Sequence, residues 1–180
     1  MSIKSGDPKK FLFEFGIRII PIYLIFFAIY RIFEITNLIY PLELLIANTV
    51  FFFVKFLNSG IFLQDNILMN IFMAEGKTVN LAIESICLGI IPILTFITLI
   101  FALPGIEFNK KIKPILLGSA IIFAANIFRL LLVIWVGLNY GAKMFDFYHL
   151  FVLKYDLLLL VLLLFAITMA KLLSKNNKKK

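Results

Sequence analysis

The sequence is poor in the residues that make covalent or metal-bound scaffolds, with one cysteine and one histidine among its 180 residues. A single cysteine excludes a disulfide within the chain. One cysteine and one histidine also cannot complete a tetrahedral metal site without several carboxylates, so neither a metal nor another cofactor is expected. Charged residues make up only 16% of the chain, and no basic face of a folded domain is visible. The composition therefore argues against nucleic-acid binding.

Hydrophobic residues are what the chain has in abundance, at 62% of the sequence and a mean hydropathy of +1.03. A soluble domain needs more polar surface than this composition supplies. Several apolar runs also reach the length of about 20 residues that a helix needs to cross a bilayer. The chain is therefore predicted to be an integral membrane protein. Its net charge of +8 is concentrated at the two ends and in one short loop, which is typical of topology signals and of contacts with anionic lipid.

The apolar runs predict the order of the membrane spans. The four predicted spans are residues 11–33, 87–103, 114–138 and 150–170. Segment 42–57 is apolar but short and carries Glu43 and Lys55, so it is predicted to be an interfacial or re-entrant helix. If it crossed instead, there would be five spans, with the two basic ends on opposite sides. Four spans keep the ends 1–10 and 171–180 and the loop 110–113 in the cytoplasm, as the positive-inside rule favours.

The segment 66–86 has a different period. Polar and apolar residues alternate on both sides of Glu75-Gly76, which predicts a β-hairpin with glycine in the turn. An open sheet edge cannot face lipid, so the hairpin is expected outside the hydrocarbon layer. The predicted fold is one domain over 1–180, an all-α integral membrane protein. It has about four to five transmembrane helices and a short external β-hairpin before the second span.

Three functional groups stand out in these apolar surroundings: Cys87, Arg129 and His149. Counting residues from Pro104, Pro114 and Lys171 places them about 26, 22 and 33 Å above the inner boundary at ~1.5 Å per residue. With a hydrocarbon core of about 30 Å, the three groups are predicted to lie in one layer near the outer boundary.

The chemistry of these groups is compatible with a cysteine enzyme. A thiol at a helix N-terminus favours the thiolate, and a nearby imidazole can accept and return its proton. An arginine inside an apolar span usually marks function, and Arg129 could stabilise an oxyanion. Other interpretations stay open, since Cys87 could be an inert buried residue and His149 an interfacial one. Asn126 could simply bond between helices, and Asp146 could orient His149.

The order of the motifs resembles the exosortase/archaeosortase family. Residues 76–90, which lead through an extended segment to Cys87, resemble the family's cysteine motif. Residues 126–130 resemble its Asn-x-x-Arg block, and His149 resembles its histidine at the head of the next span. The resemblance covers roughly residues 41–170. Leu88 departs from it, standing where many members have serine or threonine.

The resemblance implies a membrane cysteine transpeptidase that cuts surface proteins ahead of a C-terminal transmembrane sorting signal. It implies that Cys87 is the nucleophile, His149 the general acid/base and Arg129 the stabiliser of the oxyanion or substrate. Asn126 and Glu84 are the candidates for substrate binding. The expected partners are the sorting-signal helix and membrane lipid, with the active site on the outer side of the cell membrane. The alternative is a non-catalytic membrane scaffold that binds a partner through its hairpin.

Overall fold

The computed structural model describes residues 8–57, 62–64, 68–72, 76, 78–82, 85–149 and 153–177. Within these ranges the chain forms six α-helices and three short strands. In chain order the helices are α1 (Pro8–Ile35), α2 (Tyr40–Leu57), α3 (Ile90–Ala102), α4 (Phe108–Tyr140), α5 (Ala142–Phe147) and α6 (Leu153–Asn177).

Among the described residues, three stretches of helix are long and apolar enough to cross a membrane: Lys9–Ile35 in α1, Phe108–Tyr140 in α4 and Tyr155–Leu172 in α6. Many large apolar side chains on these helices are exposed, such as Phe13 and Leu159, as expected for surfaces that face lipid. The prediction of a helical membrane protein is confirmed. The number of crossings stays a prediction.

The predicted second span, 87–103, differs from the structure in where its helix begins. A short 3-10 helix (Ser85–Leu88) comes first, followed by Gly89 with a φ of 70°. This left-handed residue interrupts the helical path, so α3 begins only at Ile90. The 13 residues of α3 are about 20 Å long, shorter than a hydrocarbon core of about 30 Å. The expectation that Cys87 opens this helix is therefore wrong.

The predicted third span, 114–138, is longer than the sequence suggested. Helix α4 begins at Phe108, so residues 110–113 are helical and the predicted basic loop is wrong. Pro114 lies in the second turn of α4, where it removes one intrahelical hydrogen bond but the helix continues past it. Glu107 forms an ion pair of 3.0 Å with Lys110, one turn further on, which helps to extend the helix backward.

The described residues between α4 and α6 are also largely helical, although the sequence predicted a non-spanning connection between the spans 114–138 and 150–170. Asn139 and Tyr140 end α4, Gly141 follows, and α5 then occupies most of that connection. Helix α6 begins at Leu153 and continues to Asn177, well into the basic C-terminal end.

The three strands precede α3: β1 (Phe62–Gln64), β2 (Leu68–Phe72) and β3 (Thr78–Ala82). They form an antiparallel sheet in the order β1-β2-β3. Strands β2 and β3 pair in the register that joins Leu68 to Ala82 and Phe72 to Thr78. Gly76 lies between them with a φ of 73°. Both strands lie in the segment 66–86, and their side of the membrane stays a prediction.

Helices α3 and α4 organise the packing. Helix α3 contacts α1, α4 and α6, while α4 also contacts α2 and α5. Two buried clusters result. One joins α3, α4 and α6 around Phe96 and Ile122. The other joins α2, α4 and α5 to the 3-10 helix through Ile46, Ile134 and Leu88, and it contains Cys87.

Candidate active site

Cys87 lies in the 3-10 helix that connects the sheet to α3. Its side chain is only 5% exposed and belongs to the buried cluster that also contains Leu88, Leu130 and Phe145. Two residues separate Cys87 from Ile90, the first residue of α3. Because the field of a helix dipole decays within its first turn, the thiol is farther from that field than the sequence suggested.

The backbone of Cys87 is attached to α4. Asn126, which is completely buried, donates a hydrogen bond of 2.8 Å from Nδ2 to the carbonyl oxygen of Cys87. The other polar atom of this amide, Oδ1, is buried and has no hydrogen-bond partner among the described residues. Asn126 was predicted to bind substrate, whereas in the structure its Nδ2 donates a hydrogen bond within the chain.

His149 follows α5 and is half-buried. Its ring stacks on that of Phe145, with ring centroids 5.8 Å apart and planes within 16°. Phe145 belongs to the same buried cluster as Cys87. Helix α5 therefore brings the imidazole to the edge of the cluster that contains the thiol.

Burial lowers the pKa of His149 below its ordinary value, the positive charge of Arg129 lowers it further, and Asp146 opposes part of the effect. Arg129 therefore lies close enough to His149 for its charge to be felt. Since the neutral form is favoured, the imidazole can accept a proton near neutral pH.

One residue of this region was not singled out from the sequence. Asp156, in the first turn of α6, also lies within reach of the charge of Arg129. Its Oδ1 accepts a hydrogen bond of 2.6 Å from the backbone N–H of Leu157. The available signal was an ionisable residue inside an apolar run, which is the same reasoning that identified Arg129.

The structure thus brings the candidates together in two pairs that meet on α4. Asn126 is bonded to Cys87, and Arg129, three residues further along the helix, acts on His149. Residues three apart lie on neighbouring positions of one helix face. Glu84 lies outside the described residues. Within the described part of the chain, no three His, Cys, Asp or Glu side chains are grouped as metal ligands.

A thiol, an imidazole and a guanidinium around one segment of a membrane helix define a class of protein, an integral membrane protein with a candidate cysteine site. The comparison with known families is more specific. The family described as transmembrane exosortase matches residues 15–173, and the chain belongs to that family. Neither a curated protein nor a solved structure matches the chain.

Proposed function

We propose that this chain is a sortase-like cysteine transpeptidase of the membrane. It cleaves surface proteins ahead of a C-terminal transmembrane sorting signal and passes the acyl group to an acceptor. The single observation that supports this best is the convergence on α4. One helical turn contains both the residue that binds the Cys87 backbone and the arginine whose charge acts on His149.

The reaction follows from the chemistry of the three groups. His149 accepts the proton of the Cys87 thiol, and the sulfur attacks the carbonyl carbon of the scissile peptide bond. The C–N bond breaks, and His149 returns the proton to the leaving amine, which leaves with the sorting-signal helix. An acceptor hydroxyl, amine or water then attacks the thioester carbonyl and transfers its proton to His149. The C–S bond breaks, the acyl group stays on the acceptor, and His149 returns the proton to the Cys87 thiolate.

Arg129 acts on both stages of this reaction. Its positive charge disfavours a second positive charge on His149, which keeps the imidazole available as a base. The same charge favours an anion nearby, whether the thiolate or the oxyanion that forms when the carbonyl is attacked. Asp156 stands near the same guanidinium and supplies a partner that can hold it in place.

The sheet suggests how an extended substrate is held. Strand β3 is an edge strand of the described sheet and ends at Ala82, five residues before Cys87. An edge strand can pair with an extended peptide through backbone hydrogen bonds, which aligns the peptide without reading most of its side chains. The positive-inside pattern favours the outer side of the membrane for this sheet and for the site.

The proposal is tested by replacing the nucleophile. The variant is expressed in cells that lack the wild-type protein. We expect Cys87→Ala to insert into the membrane at normal levels, while the precursors of surface proteins keep their C-terminal transmembrane segments. Mass spectrometry of the C-terminal peptides of surface proteins, compared with cells that express the wild type, measures this. Maturation of the same proteins in the Cys87→Ala cells would overturn the proposal.

One observation favours a second function, a non-catalytic membrane scaffold. The Cys87 side chain is almost entirely buried, as an inert cysteine would be. Alkylation by N-ethylmaleimide at graded pH separates the two functions, because this chain has a single cysteine. An apparent pKa of the Cys87 thiol that is lower than that of a free cysteine, and that returns to the ordinary value in His149→Gln, supports the enzyme. An unreactive thiol at every pH supports the scaffold.

A further inference from the structure

The bond between Asn126 and Cys87 is unusual for an asparagine inside a helix. Asn139, on the same helix, shows the ordinary local pattern, since its Nδ2 donates 2.8 Å to the carbonyl of Trp135, one turn earlier. Asn126 instead donates to a carbonyl 39 residues away in the chain. Its hydrogen bond therefore fixes a tertiary arrangement and not the helix that carries it.

Gly89 also packs closely against the amide of Asn126. A Cβ atom at Gly89 would lie 2.8 Å from Cγ of Asn126, closer than real Cβ atoms come to another heavy atom, and a tight 3.1 Å from its Nδ2. The φ of 70° at Gly89 also favours glycine. The Asn126 side chain is thus packed against Gly89 while it bonds to Cys87, and it contacts the turn at two points.

Packing alone does not account for an amide at this position. The buried Oδ1 of Asn126 has no hydrogen-bond partner among the described residues, and an unpaired buried acceptor destabilises the folded chain. A leucine has a similar branched shape and carries no such acceptor. The donor of Asn126 is therefore the property that distinguishes the amide from an apolar residue here.

We propose that Asn126 is a positioning residue that holds the Cys87–Gly89 turn in register with Arg129. The two α4 residues are three apart and therefore lie on neighbouring positions of one face. Fixing the Cys87 carbonyl to Asn126 fixes the thiol relative to the guanidinium, whose charge reaches His149. The catalytic consequence rests on the proposed function, whereas the attachment itself does not.

The attachment is tested without any substrate, by the rate at which N-ethylmaleimide alkylates the only cysteine of the chain. Asn126→Asp keeps the shape of the side chain and replaces the N–H donor with a carboxylate, which cannot donate to the Cys87 carbonyl while it is ionised. Because the turn loses its attachment, the 5%-exposed thiol is expected to react about tenfold faster than in the wild type. Asn139→Asp is the matched control, since it removes an exposed amide from the same helix. Equal rates for Asn126→Asp and the wild type would overturn the proposal.

Kinetics of processing separate positioning from substrate binding. With a peptide that spans a cleavage site found by the Cys87→Ala comparison, Asn126→Asp is expected to lower kcat about tenfold or more at an almost unchanged KM. A raised KM with an unchanged alkylation rate would instead assign Asn126 to the substrate and overturn the positioning role. If Cys87→Ala abolishes no processing, the proposed function fails, and the alkylation rates still decide whether the attachment exists.

A second variant protects the test against misfolding of Asn126→Asp. Gly89→Ala keeps the amide of Asn126 in the sequence but adds a methyl group that pushes this amide away from the turn. Gly76→Ala is its matched control, because Gly76 has a φ of 73° and an added Cβ would meet no described atom within 4 Å. Gly89→Ala is expected to speed alkylation of Cys87 severalfold more than Gly76→Ala does. Equal rates in these two variants would count against the attachment.

Discussion

The two ends of α3 are both held by a polar side chain of α4, but in different ways. At the C-terminal end, Lys111 is buried, and its Nζ donates to the carbonyl oxygens of Phe101 and Leu103 at 2.8 and 2.7 Å. These carbonyls belong to the last turn of α3 and to the residue after it. A cation there satisfies acceptors that the helix leaves unpaired and complements the helix dipole.

At the N-terminal end, Asn126 holds the turn before α3 by one hydrogen bond to Cys87, and its own acceptor finds no partner in the part of the chain that the structure describes. The adjoining Gly89 adopts a left-handed conformation. A left-handed glycine carries no strain, and Gly105 adopts the same conformation, with a φ of 71°, just beyond the other end of α3, so the backbone does not distinguish the two ends. The polar side chains do. Lys111 donates to two carbonyls at its end, whereas Asn126 makes one bond at the Cys87 end and keeps a buried acceptor that has no partner among the described residues, for which a functional role is one explanation.

The largest expected effect tests the Cys87 end through Leu88. This side chain is fully buried, so Leu88→Ser leaves a cavity and a buried hydroxyl, and we expect a loss of about 3–5 kcal/mol in the free energy of unfolding. Unfolding in detergent micelles measures it. Leu38→Ser, at a position 62% exposed, is the control and is expected to change stability little. A loss in Leu88→Ser no larger than in this control would contradict the packing described for the turn.

An intermediate effect is expected at the opposite end. Lys111→Met removes both hydrogen bonds to the end of α3, and bonds to a charged group contribute about 1.5–3 kcal/mol each before the cost of burying the charge is deducted. We expect a net loss of about 2–3 kcal/mol in unfolding free energy. The alkylation rate of Cys87 is expected to stay within twofold of the wild type, because the other end of α3 keeps its attachment.

Lys113→Met is the matched control for this comparison, since Lys113 lies two residues further along α4 and is exposed. It is expected to change neither the stability nor the alkylation rate appreciably. If Lys111→Met alters the reactivity of Cys87 as strongly as Asn126→Asp does, the two ends are coupled and the contrast between them fails.

The membrane class and the residues around α4 were accessible from the sequence. Long apolar runs require helices whatever their packing, so the helical membrane protein followed from composition. Arg129 and His149 were found because ionisable groups are scarce in such runs, and the structure places them within range of each other. The resemblance to the exosortase family rested on the same residues and is confirmed by the family match.

The helix boundaries around the site were not accessible in the same way. Gly89 stands between apolar residues, and nothing in its neighbours indicates that it takes a positive φ instead of continuing a helix. The lysines at 110–113 were assigned to a loop because charge favours water, yet Lys111 is buried and donates to two carbonyls eight and ten residues earlier, at the end of the preceding helix. Tertiary hydrogen bonds of this kind, including that of Asn126, leave no periodic signal.

The smallest effect, a shift in one pKa, tests whether the Cys87 end is also electrostatically distinct. The chain has one histidine, so a single imidazole titrates in an NMR experiment. Arg129→Gln removes a positive charge and is expected to raise the pKa of His149, whereas Asp146→Asn removes a negative charge and is expected to lower it.

The stability of the chain is expected to follow from the same shift. Because the folded chain holds the pKa of His149 below its ordinary value, the unfolded chain binds the proton at higher pH. The stability associated with neutral His149 is therefore complete above the ordinary histidine pKa and decreases as the pH falls below it. Arg129→Gln is expected to narrow the pH range over which this stability is lost. Lys111→Met is expected to leave that range unchanged, because its side chain belongs to the other end of α3. An unaltered pKa of His149 in Arg129→Gln would show that the arginine does not act on the imidazole. Of the two pairs on α4, only that of Asn126 and Cys87 would then remain.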